Sequence, residues 1–196
     1  MTAARNEDRA AHDRTVVATA LYRRLLGSRF DVLPPLVREL HDVTGMSRWS
    51  GRADVVRGRG LAARLLARRL RLPPEGRDQT LSVTFDPVDG REIWARTFGA
   101  SVFRSVQEEQ GGLLRERIGA ITFVFALDAS GEGLALLLEG VRVLGVPLPR
   151  FALPAIRTVE SAHEGRYRFE VEAGLPLIGP IVRYAGWLER AGADSA

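Results

Sequence analysis

The sequence predicts a mainly β (α+β) chain in which about ten antiparallel strands run as a meander and form a closed or half-closed barrel. Three observations carry this. From Leu81 onward apolar and polar residues alternate, as Leu81, Val83 and Phe85 do with Ser82 and Thr84. The links between such segments (EQGG, IGA, DASGEG, AHEG, GLPLIGP) are short and bear Gly or Pro, which suits antiparallel neighbours. A meander of that length left open would expose aggregation-prone edges, so closure or helical cover is expected.

Taken in order, residues 1–12 are polar and expected to be a flexible N-terminus. From Asp13, the spacing of Val16, Val17, Ala20, Leu21 and Leu25 is helical, and Gly27 stops it. Pro34 and Pro35 suit the first turn of a second helix with Leu36, Val37, Leu40 and Val43 on one face, ended by Gly45. GRADVVRG (Gly51–Gly58) reads as a first strand. Gly60–Leu72 follows as a helix stopped by Pro73 and Pro74, with an apolar arc of Leu61, Ala62, Leu65, Leu66, Leu70 and Leu72. Leu81–Phe85, the DPVDG turn and Arg91–Phe98 make a hairpin. Further strands are expected at Val102–Glu108, Leu113–Ile118, Ile121–Leu127, Leu134–Leu144, Ile156–Ser161, Arg166–Ala173 and Ile181–Leu188. No repeat or linker interrupts them, so residues 13–190 form one domain and 191–196 a short polar tail.

Composition removes several function classes. The 196 residues carry 45% hydrophobic and 27% charged side chains, ordinary for a soluble domain. Cys is absent, which excludes disulfides, thiol catalysis and thiolate metal sites and fits a reducing, cytoplasmic setting. The net charge of +4 comes from arginine alone, since the chain has no lysine. Those arginines are scattered rather than interleaved with aromatics, so no nucleic-acid partner is expected. No stretch is long and apolar enough for a membrane span, and at most transient contact with a membrane surface is expected. The three histidines, His12, His41 and His163, have no metal-binding spacing, and His41 with Asp42 reads as an exposed pair at a helix end. Ser105 and Ser161 sit in no nucleophile elbow. No metal, cofactor or catalytic residue is expected.

The most informative stretch is GREIWARTFG (Gly90–Gly99). Strand alternation puts Glu92, Trp94, Arg96 and Phe98 on one face. That is a mixed aromatic and charged wall, suited to orienting the polar head of a mostly apolar ligand. Arg96 can lean on Trp94, two residues away. Glu92 and Arg96 lie about 13–14 Å apart by strand rise, too far to pair. Each therefore needs a partner from another strand, and Glu116, Glu160, Arg142 and Arg183 are the candidates. The candidate ligand-binding set is Glu92, Trp94, Arg96, Phe98, Glu116, Arg142, Arg183 and Tyr184. The alternative is that Trp94 and Phe98 pack as core while the charges make edge or surface pairs. GVPLPRFALP reads as a stiff corner between strands. The Arg-rich helix Gly60–Leu72 reads as a lid with solvated arginines, or as contact with an anionic membrane.

Several motifs in one order resemble the DUF4166 family of domains of unknown function, over about Leu21 to Leu188. They are LYRRLLGSRFDVLPPLVRELHD, GRADVVRG with the helix after it, GREIWARTFG, LRERIG, LGVPLPRFALP, RYRFEVEAGLPLIG and IVRYAGWL. The resemblance implies a domain found alone or fused to NAD(P)-binding domains of the saccharopine-dehydrogenase-like or short-chain type. This chain has no glycine-rich nucleotide fingerprint and would correspond to the appended part. The family brings no established activity, so no functional residue carries over.

A helix between the first and second strands fits calycin or fatty-acid-binding-type barrels. A START-like helix-grip fold is the alternative, although GPIVRYAGWLERAGADSA reads as a strand and tail rather than a long closing helix. The leading functional expectation is a non-enzymatic binding barrel for a hydrophobic or amphipathic small molecule. The alternative is an accessory or regulatory module of an NAD(P)-dependent oxidoreductase. A small enzyme using interior Glu, Arg and Tyr residues, with Tyr167 or Tyr184 moving a proton, is the third.

Overall fold

The computed structural model describes residues 19–192. The segment 1–12, positions 13–18 of the expected first helix, and residues 193–196 of the tail lie outside the described residues.

The chain opens with α1 (Leu21–Leu26), a 3-10 turn (Gly27–Val32) and α2 (Pro35–His41), with Pro34 and Pro35 at the start of α2. β1 (Ser47–Arg57) leads into α3 (Leu61–Arg69). An unbroken run of strands follows: β2 (Gly76–Val88), β3 (Arg91–Phe98), β4 (Ser101–Gln110), β5 (Leu113–Ile118), β6 (Ile121–Ser130) and β7 (Gly133–Val143). The proline-rich corner contributes a two-residue β8 (Val146–Pro147) and a 3-10 turn (Arg150–Ala152). β9 (Ala155–His163), β10 (Arg166–Leu175) and β11 (Gly179–Arg190) complete the chain.

Every sequential neighbour pairs antiparallel except across β8, which hangs on β7 as a spur while β7 pairs directly with β9. β1 pairs with β11 from Trp49↔Arg190 to Arg57↔Val182, and this closes a ten-stranded ring. The closure decides between the expected forms. The barrel is shut rather than half open, and the last element is a strand, not the long helix of a helix-grip fold.

Two glycines permit that seam. A Cβ on Gly51 would lie 1.9 Å from the carbonyl oxygen of Trp187, and one on Gly186 would lie 2.1 Å from that of Arg52. Each strand's backbone therefore occupies the space a side chain would need on the other.

The antiparallel run gives the barrel two unlike ends. At one, α1, α2 and the first 3-10 turn pack onto β4, β6, β9 and β10 and plug the opening. Their buried side chains (Leu21, Tyr22, Leu26, Phe30, Val37, Leu40) merge with the inward residues of the wall. At the other end α3 bridges β1 to β2 and rests on β11. Arg57 clamps the segment after α3 by donating to the carbonyls of Leu72 and Pro73.

α3 corrects one expectation. Its buried stripe is Ala63 and Ala67, each 1% exposed, whereas Leu61 and Leu65 of the expected apolar arc are 83% and 65% exposed. Positions four apart share a helix face, and two residues turn the helix by about 200°, so burying 63 and 67 must turn 61 and 65 outward. Small side chains win because the approach is close. A Cβ on Gly58 would already meet the Pro180 carbonyl oxygen at 2.0 Å and the Ala63 Cβ at 2.9 Å.

Candidate functional site

β3 turns Glu92, Trp94 and Phe98 into the barrel, with Arg96 among them. The pleat requires this once Leu81, Val83 and Phe85 of β2 face in, because Trp94 lies opposite Phe85 and Phe98 opposite Leu81. Arg96 stacks its guanidinium 4.6 Å from the Trp94 ring centroid and 5.2 Å from that of Phe103.

The two charges find separate partners. Arg96 Nη2 donates to Glu116 Oε1 at 3.2 Å, and Nη1 donates to Ser105 Oγ at 2.8 Å. The Arg96 and Glu116 side chains are only 14% and 13% exposed. Burial is the largest single influence and works against the Arg96 charge, but Glu116, Tyr184 and Tyr22 together outweigh it and the guanidinium pKa is raised. Gln107 extends the chain, donating to Glu116 Oε1 at 3.3 Å and accepting from the Tyr22 hydroxyl at 2.9 Å.

Among the described residues, Glu92 has no arginine partner. Its Oε2 accepts from the Trp94 indole at 2.9 Å, and its Oε1 accepts from the backbone N–H of Leu21 at 3.3 Å. α1 has no side-chain cap of its own, so a carboxylate 71 residues away takes one of its orphan donors. Glu92 thus fastens the helical plug to the wall. Burial raises its pKa despite the Trp94 and Leu21 hydrogen bonds and nearby His41.

A second polar contact joins plug to wall. His41 Nε2 lies 2.5 Å from Glu160 Oε2, and the imidazole stacks on Tyr22 with centroids 3.8 Å apart. His41 is fully buried, not the exposed helix-end residue expected beside Asp42. Asp42 points out and pairs with Arg23. The signal for His41 was helix phase, since it follows Val37 by four and Leu40 by one on the face that docks. Gln107 and Ser105 were legible too: with Phe103 they alternate on β4 as the β3 set does.

Between these groups lies an internal cavity of about 150 Å³. Its polar lining is Tyr22, Arg96, Gln107, Glu116, Thr158, Glu160, Tyr167 and Tyr184. Toward the α3 end the wall becomes apolar, with Leu72, Phe98, Ile118, Ile156, Ala173 and Val182. Burial, opposed by Arg96 and aided by Glu116 and Glu160, pushes the Tyr184 hydroxyl up to about 12. Burial and the neighbouring carboxylates likewise raise Tyr22 and Tyr167 well above the usual phenol value. The tyrosines therefore stay protonated near neutrality and can donate hydrogen bonds.

Of the expected set, Glu92, Trp94, Arg96, Phe98, Glu116 and Tyr184 come together inside. Arg142 and Arg183 do not, and neither is a partner of Glu92 or Arg96. Arg142 is exposed and donates to the Gly145 carbonyl, and Arg183 pairs on the outer wall with Glu170 and Glu172. Alternation requires this: Arg142 follows inward Val141, and Arg183 sits between Val182 and Tyr184. Among the described residues, no three His, Asp or Glu side chains gather as a metal site.

Residues 33–188 match the family profile described as Domain of unknown function (DUF4166). The chain belongs to the DUF4166 family. The match takes in α2 and all eleven strands as far as Leu188, and so includes every wall residue of the cavity, while α1 with Tyr22 lies before it. No curated protein sequence and no solved structure gives a significant match to this DUF4166 chain.

Proposed function

We propose that this DUF4166 domain binds a hydrophobic or amphipathic small molecule inside its barrel, polar end toward Arg96, Glu116 and the tyrosines. The observation that supports the reading is the cavity and its gradient, with hydrogen-bonding groups near the plugged end and apolar side chains toward α3. Apolar cavities of about 150 Å³ accept benzene-sized molecules. Here the apolar stretch would take a short chain or ring, and the protonated tyrosines would donate to its head. Holding a charged pair in such a site costs solvation, which a purely structural core avoids by using apolar residues.

The test is calorimetric titration with p-cresol, a single apolar ring with a hydroxyl head, of a size the cavity can take. Saturable binding is expected, and Ala173→Phe, which fills the apolar stretch, should abolish it without loss of the thermal transition. No binding to the folded protein, or equal binding to the filled variant, would refute the proposal.

A further inference from the structure

The α3 end of the barrel differs from the plugged end in both hydrophobicity and charge. Its connections are residues 58–75, 99–100, 119–120, 144–154 and 176–178. Together these hold six arginines (Arg59, Arg64, Arg68, Arg69, Arg71 and Arg150) against one acid, Glu75. At the opposite end the turns 89–90, 111–112, 131–132 and 164–165 hold Asp89, Glu132 and Glu164, and the plug adds Arg23, Arg24, Arg29 and Arg38 with Asp31, Glu39 and Asp42, so acids there outnumber arginines. Among the described residues, none of the six arginines makes an ion pair, although Arg52, Arg157, Arg166 and Arg183 on the outer wall all do.

The same rim carries exposed large apolar side chains: Leu61 and Leu65 on α3, Leu177 in the β10–β11 turn, and Leu144, Val146 and Phe151 in the corner after β7. These three segments are consecutive around the barrel, because β11, β10 and β9 are neighbours in the sheet. On α3 itself Leu61, Leu65 and Arg68 fall within about 60° of one another, with Arg64 beside them, while Ala63 and Ala67 face the protein. A helix that buries its alanines and shows solvent its leucines and arginines has the outer face of an interfacial helix.

We propose that this rim is a docking face for an anionic phospholipid bilayer, with Leu61, Leu65 and Phe151 entering the headgroup boundary and the unpaired arginines meeting lipid phosphates. Charge complementarity selects the occupant. A neutral protein partner has no use for six unpaired arginines, and a nucleic acid has none for exposed leucines between them. The ion-paired outer wall limits contact to the rim. The proposal rests on and deepens the binding reading, since the apolar end of the cavity lies toward this face, yet its assay does not depend on a cavity ligand.

Flotation of the full chain with vesicles tests it. Binding is expected to vesicles containing a third phosphatidylglycerol, to weaken in raised salt, and to be minimal with phosphatidylcholine alone. Each basic residue contributes about a fivefold factor near an anionic surface, so Arg64→Gln with Arg68→Gln should weaken binding about thirtyfold. Leu61→Ser with Leu65→Ser should weaken it comparably with an unchanged thermal transition, because both side chains are exposed. Val88→Ser, exposed near the opposite end, should leave it unchanged. The proposal fails if anionic vesicles do not bind, if the leucine variant binds as wild type, or if the leucines instead drive self-association in sedimentation. Equal binding to duplex DNA, insensitive to the leucine variant, would also overturn it. Loss of vesicle binding with intact p-cresol binding refutes docking alone, and the reverse refutes the cavity reading alone.

Discussion

Arg96→Met removes the guanidinium that faces Glu116 at 3.2 Å, while keeping a flexible apolar stem against Trp94 and Phe103. The Glu116 carboxylate, 13% exposed, is then left with only the Gln107 amide as donor. Stranding one partner of a buried pair costs about 3–5 kcal/mol. The expected loss in urea unfolding is therefore about 3–4 kcal/mol. Adding Glu116→Gln removes the stranded charge and should bring the double variant to within about 1 kcal/mol of wild type. Glu116→Gln alone strands Arg96 in turn, so the coupling in the cycle should be at least about 3 kcal/mol. Additive single substitutions would refute the buried-pair reasoning.

Other substitutions probe how plug and seam are held. Glu92→Gln leaves either the Trp94 indole or the Leu21 N–H without an acceptor, and should cost about 1–3 kcal/mol in chemical unfolding. The Glu92 pKa is raised in the folded state, so wild-type stability falls as pH climbs from the ordinary glutamate value through the raised one. The glutamine variant lacks that fall, and the gap between the two should narrow over this window. His41→Leu strands the Glu160 carboxylate and should cost about 3 kcal/mol, read as a lower thermal midpoint. An unchanged midpoint would contradict the plug-to-wall contact. Gly186→Val drives a side chain into the Arg52 carbonyl and should cost about 3 kcal/mol or more, whereas valine at Gly131, with open space around it, should be tolerated.

The barrel was legible because alternation survives tertiary context: β3 and β5 fall where their patterns place them, and the other strands extend by a few residues. The mixed face of β3 was legible for the same reason, and so was the separation that denies Glu92 and Arg96 to each other. Charge alone points to Arg142 and Arg183, whereas strand parity puts Arg183 on the face opposite Tyr184 and Arg142 on the face opposite Val141. α3 was misread because a leucine-rich arc outweighs two alanines on any hydropathy wheel. Only the tight approach of Gly58 to Pro180 makes the small face the buried one. His41 needed the plug: nothing local marks a histidine that will meet a carboxylate 119 residues away.

The central claim is that the cavity bounded by Arg96, Glu116, Tyr184 and the apolar stretch toward Ala173 holds a small molecule. Organic extraction of the purified full chain beside its Ala173→Phe variant, with mass spectrometry of both extracts, tests it most directly. An amphipathic compound near equimolar with the wild-type protein and missing from the filled variant is the expected result. Extracts that are empty or identical, from two proteins with the same thermal transition, would contradict it.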